Sequence, residues 1–427
     1  MLPQHNVQAG AFVAPRFELV KKDVEGFVEK LKAFHEDFKN CFKRSEPRKN
    51  FFRYMVGQLS NIERKSIEPI ALRVEGGSIR DMQKCLSDAQ WDEDKMLSKY
   101  WEKVNANIGD ENGVLIFDES GFPKKGNESA GVGKQYCGSL GKVENCQVGV
   151  FAAYASKHGY NLLDKRLFLP EKWFTDKYAK RRTKCSIPED LEFHTKPQLA
   201  VEMLQQQEEK SPLSYKYILS DTLYGNSPDF IEAVDASGKI YFVSIACDTL
   251  IWLQDPVITE KAYKYKGEDR TKKVIKKGKP LIRVDTFAKN LHNHFWHRRK
   301  VSEGAKGPII YDFTRRKVIL SKDGLPDKKV WLVVRRTVAK EPKYSYYISN
   351  ASDSIRLKTF VWLSGMRWPI EQCFGEGKEE LGMDHYELRK YTGWNHHMLT
   401  CILAHYFLWH LRISLGKKNT LYHFVPA

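Results

Sequence analysis

From about residue 17 to 105 the apolar positions recur at spacings of three and four, as in FVEKLKAFHEDFKNCF, with no convincing period-2 run. That spacing predicts helices with one buried stripe. From about 110 the pattern shortens to GVLIF, CQVGVFAAYA, RLFLP, YKYILSD (215–221) and KIYFVSIA (239–246). Each run is of strand length, rich in β-branched or aromatic residues, and bounded by Gly, Pro, Asn or Asp. Between 172 and 209 the texture turns helical, with Thr195 as an N-cap and Pro197 near the first turn of PQLAVEMLQQQEEK. Residues 247–350 carry the strands VWLVVRRT and YSYYIS together with a Lys-rich, Tyr-bearing tract, KAYKYKGEDRTKKVIKKGKP, at 261–280. After 355 helical periodicity returns. The pattern therefore predicts an α/β protein in four blocks, at 1–105, 106–246, 247–350 and 351–427.

A chain of 427 residues, 42% hydrophobic, is too long for one ordinary core. Lys and Arg number 70 against 53 Asp and Glu, a net charge of +17 that favours a polyanionic partner, nucleic acid first. The start, MLPQHNVQAGAFVAP, does not read as a secretory signal. Leu399 to Leu415 is short for a membrane span and contains His405, His410 and Arg412, so a core helix and no membrane are expected. Eight cysteines without a CxxC pair fit a reducing cytosol and carry no zinc signature. Arg44, Arg48, Arg53, Arg64 and Lys65, lying among Phe51, Phe52 and Tyr54, read as a solvated helical surface or as a DNA contact.

The candidate chemistry begins at VLIFDESGFPKKG (114–126): Asp118 ends the strand VLIF and Asp221 ends the strand YKYILS, so both carboxylates emerge on one sheet rim if the strands lie side by side. Carboxylates on one sheet rim hold hard divalent cations while leaving positions for phosphate and water. A strand-end Asp also commonly caps the following turn. Glu119 is the alternative ligand beside Asp118, but alternation puts it on the opposite face if the strand continues. A third acid stands in RWPIEQCFGEGK (367–378): Pro369 opens a helix, Glu371 falls in its first turn, and Lys378 follows two turns later on nearly the same face. Arg367 precedes that helix. Taken alone, these residues also fit a surface ion network.

The three acids with the Arg-x3-Glu-x6-Lys spacing resemble the DDE transposases of bacterial insertion sequences. The runs FDESGFPKKG, GVGKQYCGSLGKVENCQVGVFAAYAS, LPEKWFTDK, WLVVRR and RWPIEQCFGEGKEELGMDHYELRKYTGW resemble the insertion-sequence 701 family in particular, from about residue 40 to 412. The resemblance implies an RNase H-like catalytic core in two parts (106–246 and 351–427, the second with C-terminal helices), a β-rich insertion (247–350) and an N-terminal helical DNA-binding domain (1–105). It implies Asp118, Asp221 and Glu371 as catalytic metal ligands for two Mg²⁺ ions about 4 Å apart, with Mn²⁺ able to substitute. Hydrolysis would free a 3′ hydroxyl at the transposon end, which then attacks target DNA without ATP. The partners implied are double-stranded DNA, as terminal inverted repeats and target, and a second copy in a homodimer bridging two ends, in the bacterial cytoplasm at the nucleoid. One departure is Ser364, where related cut-and-paste families have Tyr three residues before the Arg. Serine can still donate one hydrogen bond but cannot stack, which leaves the hairpin-forming step of those families open.

Arg367 and Lys378 are expected to contact DNA, and Lys124 and Lys125, just beyond the acids, to take flanking phosphates. Trp252 or Trp296 would stack on a flipped base if not packed in a core. Lys272 and Lys273, in the Lys-rich tract, suit phosphates and exposed bases. The cluster GVGKQYCG lacks the context of a dinucleotide site. His292, His294 and His297 lack a supporting metal-ligand pattern, and Cys137, Cys146 and Cys247 read as small core residues. The alternatives are a nuclease-inactive domesticated transposase acting as a DNA-binding regulator, and a repair or restriction nuclease with the same metal chemistry.

Overall fold

The structure, a computed structural model, describes residues 26–419 apart from 267, 279, 305 and 306. The readings made for residues 1–15 and for the helical stretch before residue 26 fall outside it. The chain divides into two compact units, one of residues 26–216 and 368–419 (the terminal unit), the other Tyr217–Arg367 (the central unit).

In the terminal unit five helices, Phe27–Glu36, Ser45–Leu59, Ile67–Arg73, Ile79–Ser87 and Glu93–Ile108, precede strands β1 (Val114–Pro123), β2 (Gly133–Cys137), β3 (Lys142–Ser156) and β4 (Gly159–Phe168). β3 pairs antiparallel with the other three strands. Val114 to Asp118 are buried without alternation, as befits a strand covered on both faces. Helix Glu93–Ile108 packs on β4 through two wholly buried aromatics: the Tyr100 hydroxyl donates to Asn161 Oδ1 (3.0 Å) and Trp101 Nε1 to the Leu163 carbonyl (3.1 Å). Each ring brings apolar area and a satisfied polar tip. The last helix, Tyr391–Asn419, is long and apolar enough through Leu415 to cross a bilayer, yet 72% of its apolar window is buried inside the protein.

The helical reading of 172–209 resolves into short 3₁₀ turns, a helix Ala179–Lys184, an irregular stretch containing Pro188, and a helix Lys196–Lys210. Thr195 caps the last of these in a full capping box with Gln198, as its position in the sequence suggests. Lys65 is neither a solvated charge nor open to DNA. It is 8% exposed, and its Nζ donates to the carbonyls of Gln58 (2.6 Å), Ser60 (2.8 Å) and Glu380 (2.5 Å). These carbonyls belong to the ends of helices Ser45–Leu59 and Trp368–Leu381, where the helix dipole attracts a cation.

In the central unit β5 (Tyr217–Ser220) runs parallel to β6 (Ile240–Ser244), the crossover being made by helices Thr222–Gly225 and Pro228–Ala236. β6 then pairs antiparallel with β14 (Tyr344–Ser349), β14 with β13 (Leu325–Thr337), and β13 with β12 (Gly307–Lys322). β12 also pairs with β7 (Leu250–Trp252) and β11 (His297–Gly304), and β7 with β10 (Ile282–Arg283). A separate two-stranded ribbon is formed by β8 (Val257–Tyr265) and β9 (Glu268–Lys277). Helix Leu357–Gly365 closes the unit. Cys247, expected in a core, is exposed, because it lies in the turn after β6 rather than in the strand.

Gly225 ends the turn that Asp221 begins, and an added Cβ would lie 1.9 Å from the Ser244 carbonyl oxygen. Gly225→Ala is expected to destabilise the protein by about 1–3 kcal/mol through that overlap. The test is a urea midpoint, and an unchanged midpoint would contradict the close approach.

Candidate active site

Asp118 sits in the middle of β1 rather than at its end, because the strand runs on through Pro123. The apolar run stops at Phe117, but pairing with β3 continues to Cys146. Asp118 is 9% exposed, and its Oδ1 accepts the Glu119 backbone N–H at 2.9 Å. Opposite it in the ladder stands Phe151, whose ring lies edge-on to Phe374 of helix Trp368–Leu381, with centroids 5.2 Å apart. Cross-strand partners share a face, so that helix covers the Asp118 side of the sheet. Phe122, two pleats on, agrees: Lys378 Nζ lies 5.4 Å from its ring centroid. Glu119 Oε1 accepts from Lys196 Nζ at 2.9 Å on helix Lys196–Lys210, yet a carboxylate oxygen of Glu119 also lies within 4.8 Å of one of Asp118, so the two neighbouring acids converge despite the alternation of the strand.

Helix Trp368–Leu381 buries Pro369, Ile370, Cys373, Phe374, Gly377 and Leu381, which leaves Glu371 exposed in its first turn. A carboxylate is favoured there by the helix dipole. Lys378 is half-buried, and burial lowers its pKa against the opposing pull of Asp384. Arg367 stands just before the helix, as the last residue of the central unit. Asp221 follows β5 directly and caps the helix Thr222–Gly225, its Oδ1 accepting the Leu223 N–H at 2.9 Å. Asp221 therefore performs the capping role that strand-end aspartates commonly have. The Ser364 hydroxyl donates to the Val361 carbonyl (2.7 Å) within its own helix.

Lys124 turns inward. Its Nζ donates to the Tyr386 carbonyl (2.9 Å) and lies 3.4 Å from the centre of the Tyr386 ring. Burial pulls its pKa down to about 8, against Asp384 and Glu387, which raise it. Lys125 is exposed beside it, and both line a groove of about 670 Å³ whose walls mix Arg64 and Arg389 with the acids Glu63, Glu128, Asp384 and Glu387. In the central unit both tryptophans are buried: Trp252 is 5% exposed, and Trp296, 9% exposed, is covered by the Arg336 guanidinium at 4.2 Å from its ring centroid. Lys272 and Lys273 are exposed on β9. His292 and His294 touch each other through Nδ1 atoms 2.7 Å apart on an exposed turn. The contacts that sequence reasoning missed are those of Lys124 and Lys378, because Tyr386 and Phe122 lie far from them in the chain.

Asp118, Asp221 and Glu371 offer only carboxylate oxygens. Carboxylate oxygens suit a hard divalent cation such as Mg²⁺ or Mn²⁺ rather than a soft one.

Residues 37–308 match the family described as DDE superfamily endonuclease, a span that includes β1 and β5. A probable transposase for insertion sequence element IS701 from Microchaete diplosiphon is 23% identical over 347 residues, 80% of this chain and 77% of its own length. Among solved structures, the NurA nuclease from Sulfolobus solfataricus aligns with 76% of this chain and 92% of its own at 11% identity, with a TM-score of 0.26, too low to support an argument. The resemblance read from the motifs and the family match agree, and the chain belongs to the DDE superfamily endonucleases as a transposase of the insertion-sequence type.

Proposed function

We propose that the protein binds the ends of an insertion sequence, cleaves their phosphodiester bonds with the help of divalent metal ions, and joins the freed 3′ ends to target DNA. The observation that carries this reading is that Asp118 on β1 and Asp221 directly after β5 both lie within the residues matching DDE endonucleases. Glu371 heads the helix that packs over the Asp118 face of β1. In this reading Asp118, Asp221 and Glu371 hold two Mg²⁺ ions, for which Mn²⁺ substitutes. When bound, such ions activate water and stabilise the leaving oxygen. Arg367 and Lys378 offset the phosphate charge beside the acids, and Lys125 and, once released from Tyr386, Lys124 take flanking phosphates. The buried Trp252 and Trp296 reach an extruded base only if they leave their packing.

The domain reading follows the same lines. Residues 1–105 form a helical DNA-binding domain, and 106–246 with 351–427 form the RNase H-like core that the DDE family implies, interrupted by a β-rich insertion at 247–350. The active form is a homodimer on two inverted repeats, at the nucleoid in the cytoplasm.

The test is cleavage and joining of labelled DNA carrying the element's own ends, with Mg²⁺ or Mn²⁺, using wild type beside Asp221→Ala and Glu371→Ala. Cutting and joining by wild type, with both variants binding DNA but doing neither, is the expected result. Cutting without joining would make the protein a nuclease. Binding without cutting would make it a DNA-binding regulator.

A further inference from the structure

The ribbon of β8 and β9 has two unlike faces. Its register pairs Tyr265 with Glu268, Lys264 with Asp269, Tyr263 with Arg270, Ala262 with Thr271, Lys261 with Lys272, and Glu260 with Lys273. Successive pairs alternate between faces. One face therefore gathers Tyr263, Tyr265, Lys261, Arg270 and Lys272 with a single carboxylate, Glu268. The other sets Lys264 against Asp269 and Lys273 against Glu260, so its charges cancel.

Side-chain contacts follow this division. Arg270 lies 5.0 Å from the centre of the Tyr265 ring and donates to Glu268 Oε2 at 2.9 Å, Lys272 lies 5.3 Å from the centre of the Tyr263 ring, and Lys264 approaches Asp269 at 4.0 Å on the other face. Both tyrosines and nearly every cation of the ribbon are exposed. Two lysines directly opposite each other, Lys261 and Lys272, destabilise a ladder unless an anion comes between them.

We propose that the ribbon binds a nucleic-acid strand on this one face, with Lys261, Arg270 and Lys272 on phosphates and Tyr263 and Tyr265 against sugar or base, while Lys264 and Lys273 take no part. A two-stranded ribbon of this kind is narrow enough for a major groove, and cations interleaved with aromatic rings equally suit an unpaired strand. The inference rests on the DNA reading above and deepens it. It separates Lys272 from its neighbour Lys273, which sequence alone treats as a pair.

The experiment compares two full-length variants of equal charge change, Lys261→Gln/Lys272→Gln and Lys264→Gln/Lys273→Gln, for binding duplex and single-stranded DNA between about 50 and 200 mM salt. Loss of two phosphate contacts is expected to flatten the slope of log affinity against log salt by about 1.8 for duplex, or about 1.4 for a single strand, in the first variant only. The form of DNA that loses more identifies the natural substrate of the face. Equal losses in the two variants, or no loss in the first while wild type binds, would overturn the proposal and leave the DNA reading standing. If wild type itself binds neither form, the DNA reading falls and the ribbon proposal with it.

Discussion

Asp118→Asn is expected to leave a folded protein that binds DNA as wild type does but cleaves it at least about 10³-fold more slowly. The amide keeps the size of the carboxylate, and its oxygen still accepts the Glu119 N–H that Oδ1 accepts at 2.9 Å. β1 is fixed by its ladder with β3 and by burial from Val114 to Phe117, none of which depends on the charge. What the substitution removes is one anionic oxygen from the proposed ligand set. A neutral amide is a far weaker ligand for a hard cation, so Mn²⁺ is expected to recover more activity than Mg²⁺ without restoring it. Cleavage at a wild-type rate would remove Asp118 from the site. Lost DNA binding together with a lower melting temperature would show that the charge serves the fold.

The second large effect is a loss of stability in mild acid. His396 and His397 sit side by side in the buried part of helix Tyr391–Asn419. His396 stacks on Trp91 with centroids 3.8 Å apart, and its Nδ1 lies 2.9 Å from the Leu86 carbonyl. His397 Nδ1 lies 2.8 Å from the Tyr54 hydroxyl, and Nε2 lies 3.2 Å from the Met383 carbonyl, contacts that a neutral ring with Nε2–H satisfies. Burial is the main cause that pulls His396 to about 4, against Glu93, and His397 to about 3, with Lys124 and His385 adding to the drop. Both pKa values lie below the unfolded value near 6.5, so the unfolded chain takes up protons that the folded one refuses. Above that value the pair is neutral in both states and the stability is fully present. As pH falls through about 6.5 towards the folded values, each ring costs up to about 1.4 kcal/mol per pH unit. Urea midpoints measured at neutral and mildly acid pH should therefore diverge steeply, and less so in His397→Gln. Identical pH slopes for the two proteins would show that His397 is not the group responsible.

The start of β1 is legible because VLIF is a short, β-branched and aromatic apolar run between Gly113 and Asp118, as a doubly covered strand carries. Its continuation is hidden, since Glu-Ser-Gly-Phe-Pro reads as a turn until β3 is known to pair with it through Cys146. Glu371 in a first turn could be anticipated from Pro369, which fixes the backbone for helix entry. Lys65 and Lys124 could not. Both look like surface cations locally, and both are buried by residues some 260 to 315 positions away, Tyr386 and Glu380. The two faces of the ribbon are alternation of the simplest kind. They emerge only once the register is known, because a one-residue slip would move every side chain to the other side.

The ribbon has a further consequence, for solubility. A two-stranded sheet has two open edges, each a row of backbone groups ready to accept a strand from another chain. Aggregation by that route would be opposed where a second ribbon approached the face of Lys261, Arg270 and Lys272, which carries a single carboxylate, Glu268. Their charge repels a like copy and admits a polyanion. A substitution that neutralised that face would therefore be expected to bring self-association at high concentration along with any weakening of DNA binding.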